Sequence, residues 1–451
     1  MCGADVLRVR QDEMLRRVDA MPREVAAWRG AVQAQLDLQL HFSQLRAIGT
    51  LTAAFEAEQR GLLGQLDASG DAAAFQRGCM ALTSSILRGQ TAWDFFRDKL
   101  DLRRSSFKAQ LWAADTIAWD CHRPVLDVAV QWGILQADQL REPPLVYLGA
   151  GYSPLTWVRH SRPNDGRRYD LGETTLPIPV IEVPWDTVDN AWELLSLHHE
   201  VGHDIEADLS LRPALRSALG QQLAAAQVPA ARVTTWLAWL GEVVADLCAL
   251  QLGGPAFADA LMHLLLLPPE AVTTLDDGDP HPTPYLRVRM AAAYIRTMAP
   301  PGSAASAHAD RIEAQWQSLY GPAPGLAALA ADFPTVFHAV MDTPLDVLKG
   351  HTLRELMPYT EADDLRIRSA AGYFATGMNK PVGLRPRHCV AAARLAVSAL
   401  AEAGPVATAA YDSVQARVLD LVRQGAAPGL RGSTGTPHDQ FIAGFAKEMF
   451  A

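Results

Sequence analysis

The chain has 451 residues and a formal net charge of −10, and 49% of its residues are apolar and 20% charged. This composition is typical of a folded globular protein rather than a disordered one, and the length favours two or three domains. The acidic balance gives no electrostatic reason to expect nucleic-acid binding. Five scattered cysteines without a CxxC pair argue against a disulfide framework and against a thiolate metal site.

Apolar runs in this sequence are short. The longest, Leu261–Leu267, falls well below the roughly 18 residues that a membrane-spanning helix needs. The first residues carry scattered charges and no apolar segment of the kind found in signal peptides. We therefore expect a cytoplasmic protein without a membrane span.

Residues 1–140 are predicted to form a bundle of four or five helices. Apolar residues recur there at helical spacing, for example at Phe107, Leu111 and Ala114. The short polar break Ala68–Asp71 separates two of the helices.

The pattern changes to short strands after residue 142. Leu145–Leu148 is predicted to be a strand that ends in a glycine-rich turn, and Leu155–His160 to be a second strand. Leu176–Trp185 is rich in β-branched residues but contains three prolines. Because proline cannot donate a hydrogen bond to a neighbouring strand, this segment is expected to be an edge strand or an extended segment. An edge strand at this place would allow an extended peptide to bind along it by strand addition.

Helical spacing returns from Val188 to Ile205, and Asp186 or Thr187 is the expected N-cap. A second helix is predicted from about Val233 to Leu252. A third is predicted to begin within 282–284, since proline is tolerated in the first helical turn. The chain then reads as helical from about residue 307 to its end.

The strongest chemical signal is His-Glu-x-x-His in the segment Leu197–Asp204. On a helix, positions four apart share one face, so His199 and His203 can offer imidazole nitrogens to one ion. Zinc takes such ligands at about 2.0–2.1 Å in a tetrahedron and keeps one position open when the site is catalytic. Glu200 lies between the two histidines and is a candidate general base.

A third ligand is expected from a later helix. Leu209 and Glu206 stand where one class of zinc sites requires a third histidine and a glycine, which excludes that arrangement. Glu242 and Asp246 are four residues apart on an apolar helix, so Glu242 can bind the metal while Asp246 accepts a hydrogen bond from a ligating histidine. A solvent-facing acidic stripe is the alternative interpretation of the pair.

His199-Glu200-x-x-His203 followed by Glu242-x-x-x-Asp246 resembles the gluzincin branch of zinc metallopeptidases. The resemblance implies that both histidines and Glu242 bind one zinc ion per chain. It also implies that Glu200 is the general base and that Asp246 orients a ligating histidine.

The interval between the two motifs is longer than in thermolysin-like enzymes and closer to that of HtpX-like membrane proteases. A second similarity to that group is His281-Pro282 followed by Arg287. Those proteases have transmembrane helices, whereas none is predicted here. The resemblance covers roughly residues 145–298, and it implies a mainly α (α+β) fold with a zincin-like core and a small edge-stranded sheet.

We accordingly predict three parts: an N-terminal helical bundle over 1–140, the zincin-like metallopeptidase core over 141–300, and a C-terminal helical region over 301–451. The flanking helical regions carry no motif that indicates their role. The sequence gives no oligomeric state.

Four further residues are candidates for the site. His281 and Tyr285 could donate to the oxyanion that forms when water attacks a carbonyl. Arg287 or Arg289 could do the same or could bind a substrate carboxylate. A structural cap at His281 and Tyr285 and surface positions for the two arginines are the alternative interpretation.

The sequence thus predicts a zinc-dependent metallopeptidase acting on a peptide or protein substrate. One alternative is a metal-binding regulatory or interaction protein that uses the zincin core as a scaffold, although a scaffold has no need of Glu200. Another is a regulatory protease that cuts a single protein partner and ignores generic peptides. Cobalt or manganese can also occupy a His/His/Glu site.

Overall fold

The computed structural model describes residues 3–32, 41–137, 141–163, 171–276 and 278–425. The described residues form two compact units, one made of those within 3–108 and 157–180 and the other of those within 109–156 and 181–425. Helices dominate, and the described residues contain one small mixed sheet of three strands, which confirms the predicted mainly α fold class. The predicted division into three parts, 1–140, 141–300 and 301–451, is not tested by these two units and stays a prediction.

The first unit is built on four helices. They are α1 (Gly3–Val18), α2 (Ala20–Val32), α3 (Phe42–Gly64) and α4 (Ala72–Asp101). The predicted break between α3 and α4 is confirmed, because the Asp71 side chain accepts hydrogen bonds from the backbone N–H groups of Ala73 and Ala74 and caps α4. Met14, Val18 and Leu82 are fully buried in the core between the helices.

The second unit contains α5 (Lys108–Gln131), nearly all of the sheet and the remaining helices. The strands are β1 (Leu145–Gly149), β2 (Leu155–Trp157) and β3 (Val180–Pro184). Their order is β1-β3-β2, so β3 is the central strand and the predicted edge position is wrong. Two of the three prolines, Pro177 and Pro179, precede β3 and the third is its last residue, so none interrupts the ladder.

Glu182 on β3 holds the connection between β1 and β2. Its carboxylate accepts hydrogen bonds from the Tyr147 hydroxyl (2.5 Å) and from the backbone N–H of Gly151 (2.8 Å). A Cβ atom at Gly149 would overlap the Glu182 side chain, which explains why the turn is glycine-rich. In the order β1-β3-β2, both β1 and β2 are edge strands.

Helix α6 (Leu197–Asp208) follows two 3₁₀ segments, Trp185–Asp189 and Ala191–Ser196. The prediction that Asp186 or Thr187 caps this helix is wrong. The apolar spacing is similar for 3₁₀ turns and α-helical turns, so periodicity alone does not separate them.

Further helices follow α6 along the chain. They are α7 (Arg212–Ala225), α8 (Ala230–Ala238), α9 (Leu240–Gly253), α10 (Pro255–Leu264), α11 (Pro269–Thr273), α12 (Pro284–Met298), α13 (Ala304–Tyr320), α14 (Ala327–Ala330), α15 (Phe333–Phe337), α16 (Leu353–Leu356), α17 (Glu361–Thr376), α18 (Pro386–Glu402) and α19 (Thr408–Gly425). The predicted start of α12 is confirmed, with the Thr283 side chain as its cap.

The single helix predicted over Val233–Leu252 is instead two helices, α8 and α9, which meet at Trp239 with a bend of 62°. The indole N–H of Trp239 donates to the backbone carbonyl of Asp279 (3.2 Å), a long-range contact that periodicity does not reveal. No single helix among the described residues is long and apolar enough to cross a membrane. The pair α8 and α9 meets both requirements only if the two helices are counted as one across the 62° bend.

Candidate metal centre

The site depends on the close approach of α6 and α9. At Gly202, on the face of α6 that meets α9, an added Cβ atom would lie 3.0 Å from Ala245 Cα and 3.2 Å from the Ala245 carbonyl oxygen. Only glycine therefore allows the two backbones to come this near without a shift. The contact brings Glu242, in the first turn of α9, opposite the histidines of α6.

His199, His203 and Glu242, called here the His–His–Glu cluster, direct their ligand atoms at one another. His199 Nε2 lies 3.2 Å from Glu242 Oε2, and His203 Nε2 lies 3.5 Å from Glu242 Oε1. The three possible ligand atoms all lie within 4.8 Å of one another. Ligands of a tetrahedral zinc at about 2.1 Å lie about 3.4 Å apart, so the cluster fits such an ion.

An orphaned atom supports the same fit. Glu242 Oε2 is buried and makes no hydrogen bond, although it lies close to an imidazole nitrogen. A buried carboxylate oxygen that lacks a well-aligned donor is costly, and a bound cation would remove that cost. These donors, two imidazoles and one carboxylate, are also the set that zinc accepts in catalytic sites.

Asp246 orients His199 from behind. Its Oδ1 lies 2.8 Å from His199 Nδ1, the contact that the spacing of Glu242 and Asp246 predicts. Arg287, on α12, donates to both oxygens of the same carboxylate, from Nε to Oδ2 (2.8 Å) and from Nη2 to Oδ1 (2.7 Å). With His199 Nδ1 facing an acceptor, the lone pair belongs on Nε2, which faces the cluster.

The charges of the cluster are strongly coupled. Burial by itself lowers the pKa of His199, but the carboxylates of Asp246 and Glu242 outweigh burial and raise it to about 10. Burial and the charge of His199 lower the pKa of His203 to about 3. Burial would raise the pKa of Glu242, yet the neighbouring histidines hold it well below its usual range. Without a metal, the cluster therefore keeps a proton on His199, and a cation would displace it.

Glu200 is almost fully buried, with 6% of its surface exposed. Its Oε2 accepts a hydrogen bond of 2.5 Å from the hydroxyl of Thr156 on β2. Burial raises the pKa of the Glu200 carboxyl, and the positive charge of His199 and the Thr156 hydrogen bond oppose that rise. The structure thus places a carboxyl group suited to proton transfer beside the cluster.

His281 reaches the cluster from the loop before α12. Its Nε2 lies 3.4 Å from Glu242 Oε2, and its Nδ1 lies 2.7 Å from Asp279 Oδ1. The side chain is 46% exposed, so it faces both the cluster and solvent. This position suits a group that contacts a substrate bound at the cluster.

The other three candidate residues have partners of their own. The Tyr285 hydroxyl donates to the Gly321 carbonyl (3.0 Å), and Arg289 donates to Glu313 (3.1 Å). Arg287 is buried and engaged by Asp246. The geometry therefore favours an action of Arg287 through Asp246, while the substrate and oxyanion roles of these three side chains stay predictions.

Sequence reasoning did not find Thr156. It lies in a strand of three residues, far from Glu200 along the chain, and no local pattern pairs the two. Comparisons with protein families, with curated proteins and with solved structures found no match to this chain. The chemistry of the site therefore rests on its own residues.

Proposed function

We propose that the protein is a zinc-dependent metallopeptidase of the gluzincin type that hydrolyses a peptide bond. His199, His203 and Glu242 would hold the ion, and Glu200 would be the general base. The observation that carries the proposal is the convergence of the three ligand atoms within 4.8 Å, with Glu200 on the same helix as both histidines.

The charge balance of the buried groups supports a divalent cation. Three carboxyl groups, those of Glu200, Glu242 and Asp246, surround one guanidinium, that of Arg287. With all four ionised and the imidazoles neutral, the net charge is that of two unpaired carboxylates. A buried excess of this kind is unfavourable unless a cation or protons compensate it. A divalent cation would neutralise this excess negative charge, and both imidazole lone pairs would bind it.

Each side chain of the site has its own role in the proposed hydrolysis. A zinc ion at the cluster would act as a Lewis acid that polarises the carbonyl and lowers the pKa of water to about 7. Glu200 accepts the proton of the attacking water and passes it to the leaving amine. His281 is the candidate donor to the developing oxyanion, because its Nε2 faces the cluster. Asp246 keeps the lone pair of His199 directed at the cluster.

The test is hydrolysis of a diverse library of internally quenched peptides by the zinc-loaded protein, with Glu200→Gln as the decisive variant. Gln keeps the size of the side chain and removes its basicity. We expect Glu200→Gln to retain zinc and to lose about 100- to 10,000-fold in kcat. Glu402→Gln, which alters an ion pair of α18 with Arg311, is the matched control and should keep wild-type turnover.

Other outcomes favour different functions. If Glu200→Gln cleaves a validated substrate at the wild-type rate, the assigned mechanism is wrong. If zinc binds but no peptide is cleaved, cellular proteomes containing the wild type and the Glu200→Gln variant should be compared. A single protein cleaved only by the wild type indicates a narrow regulatory protease, and identical proteomes indicate a metal-binding interaction protein.

A further inference from the structure

The hydroxyl of Thr156 is the hydrogen-bond donor that the structure gives to the Glu200 carboxylate. Oγ1 lies 2.5 Å from Glu200 Oε2 and 3.4 Å from the main-chain oxygen of the same residue. The first distance is that of a strong hydrogen bond between a hydroxyl and a carboxylate. The contact thus joins the edge strand β2 to the helix that carries both histidines.

Thr156 is well suited to hold a carboxylate in one orientation. Its backbone is fixed in the sheet, and its β-branched side chain has few accessible rotamers. A group carried by a strand is placed more accurately than one carried by a loop. With Oε2 engaged by Thr156, the other oxygen of Glu200 is the one that takes a proton from water.

We infer that Thr156 is a positioning residue for the general base, which fixes the Glu200 carboxylate and thereby directs its second oxygen towards the attacking water. This inference rests on the proposed function of Glu200. It assigns to the short edge strand β2 a part in proton transfer. The expected consequence of losing the hydroxyl is a slower chemical step with unchanged binding of zinc and of the peptide.

The test compares Thr156→Val, which keeps the shape and removes the hydroxyl, with Thr156→Ser, which restores a hydroxyl. Thr187→Val is the matched control, because the buried Thr187 hydroxyl donates to the Pro184 carbonyl (2.7 Å) and has no contact with Glu200 in the described hydrogen bonds. All variants are full-length and zinc-loaded. The two readouts are kcat and KM on a cleaved library peptide, and crystal structures of the zinc-loaded proteins.

For Thr156→Val we expect a fall of about 10- to 100-fold in kcat, since a small misplacement of a catalytic group has an effect of this size. KM and zinc content should stay within about twofold of the wild type. Thr156→Ser should recover most of the rate, and Thr187→Val should keep it. In the crystal structures, the Glu200 carboxylate should rotate away in Thr156→Val and return in Thr156→Ser.

Wild-type kcat in Thr156→Val, or an unmoved Glu200 carboxylate in its crystal structure, would overturn the inference. A KM increase with unchanged kcat would also overturn it, because it would mean that Thr156 acts in substrate binding. If the wild type cleaves no peptide, the proposed function fails separately. The Glu200 orientations in the Val and Ser variants then decide whether Thr156 positions this carboxylate.

Discussion

Two clusters of histidine, carboxylate and arginine side chains, most of them buried, lie in the second unit, one on α6, α9 and α12 and one on α10, α13 and α18. In the second cluster, Asp259 Oδ1 lies 3.3 Å from His308 Nε2, and Arg311 Nη2 donates to His308 Nδ1 (2.8 Å). Arg311 also lies 3.3 Å from Glu402, and the charge of the buried Arg394 acts on Asp259. These five residues are called the paired cluster, because two carboxylates meet two guanidiniums.

The His–His–Glu cluster has the same kinds of residue but a different ratio of carboxyl groups to guanidiniums. Its surroundings hold three carboxyl groups and a single guanidinium, and two imidazole nitrogens face the carboxylate of Glu242. In the paired cluster the carboxylates of Asp259 and Glu402 are matched by two guanidiniums, whereas the three carboxyl groups around the His–His–Glu cluster outnumber the guanidinium of Arg287. Buried histidines beside aspartates therefore do not by themselves mark a metal site. The proposed metal site rests instead on converging ligand atoms together with an uncompensated negative charge.

The largest expected difference between the clusters comes from Asp246→Asn and Asp259→Asn. Asp246→Asn removes the charge that orients His199 and leaves Arg287 without its carboxylate, so zinc affinity should fall about 10- to 100-fold. Asp259→Asn removes the carboxylate that acts on the buried guanidinium of Arg394 and lies beside the buried His308, so the free energy of unfolding should fall by about 3–5 kcal/mol while zinc affinity stays the same. Competition with a chromophoric chelator and urea unfolding measure the two effects. Equal zinc affinities in both variants would remove the distinction between the clusters.

The second difference is in the pH dependence of zinc affinity. Because neighbouring carboxylates raise the pKa of metal-free His199 to about 10, zinc must displace a proton from this residue at neutral pH. Affinity should therefore rise with pH, by about tenfold per unit between pH 6 and 8. Calorimetric titration in buffers of different ionisation enthalpy should show release of about one proton per zinc bound. A pH-independent affinity would contradict the protonated state assigned to His199.

The smallest expected effect tests the packing that brings α6 and α9 together. Gly202→Ala forces a Cβ atom against the backbone of Ala245, so the helices must separate by a few tenths of an ångström. We expect a loss of about 1–3 kcal/mol in unfolding free energy and a severalfold loss of zinc affinity. Gly220→Ala on α7 is the control, since its added Cβ meets nothing within 4 Å and should raise the unfolding free energy by about 0.5–1 kcal/mol. Similar behaviour of both variants would mean that the close approach at Gly202 does not matter to the site.

The features predicted from the sequence are those set by helical spacing. His199 with His203, and Glu242 with Asp246, are pairs four residues apart, and their shared faces follow from helix geometry alone. The central position of β3, the bend at Trp239 and the contact of Thr156 with Glu200 did not follow from the sequence. Each depends on how distant segments pack, and periodicity reports only the local conformation.

For Arg287, the sequence predicted a position in the site but did not predict the contact that the side chain makes. Its place after His281-Pro282 marked it as a candidate for the site, and the structure places it there. Its partner, Asp246, lies on another helix, so the sequence could not show that the guanidinium is engaged with a carboxylate rather than directed at a substrate. Position along the chain thus identified the neighbourhood but not the contact.

The most direct test of the central claim is the zinc content per chain, measured by mass spectrometry for the wild type, His203→Ala and Glu242→Ala after zinc is added and the excess removed. A site held by His199, His203 and Glu242 predicts about one zinc in the wild type and its loss in both variants. Zinc retained in full by Glu242→Ala would mean that another residue supplies the third ligand. A wild-type protein that binds no zinc would contradict the metal centre and, with it, the proposed hydrolase.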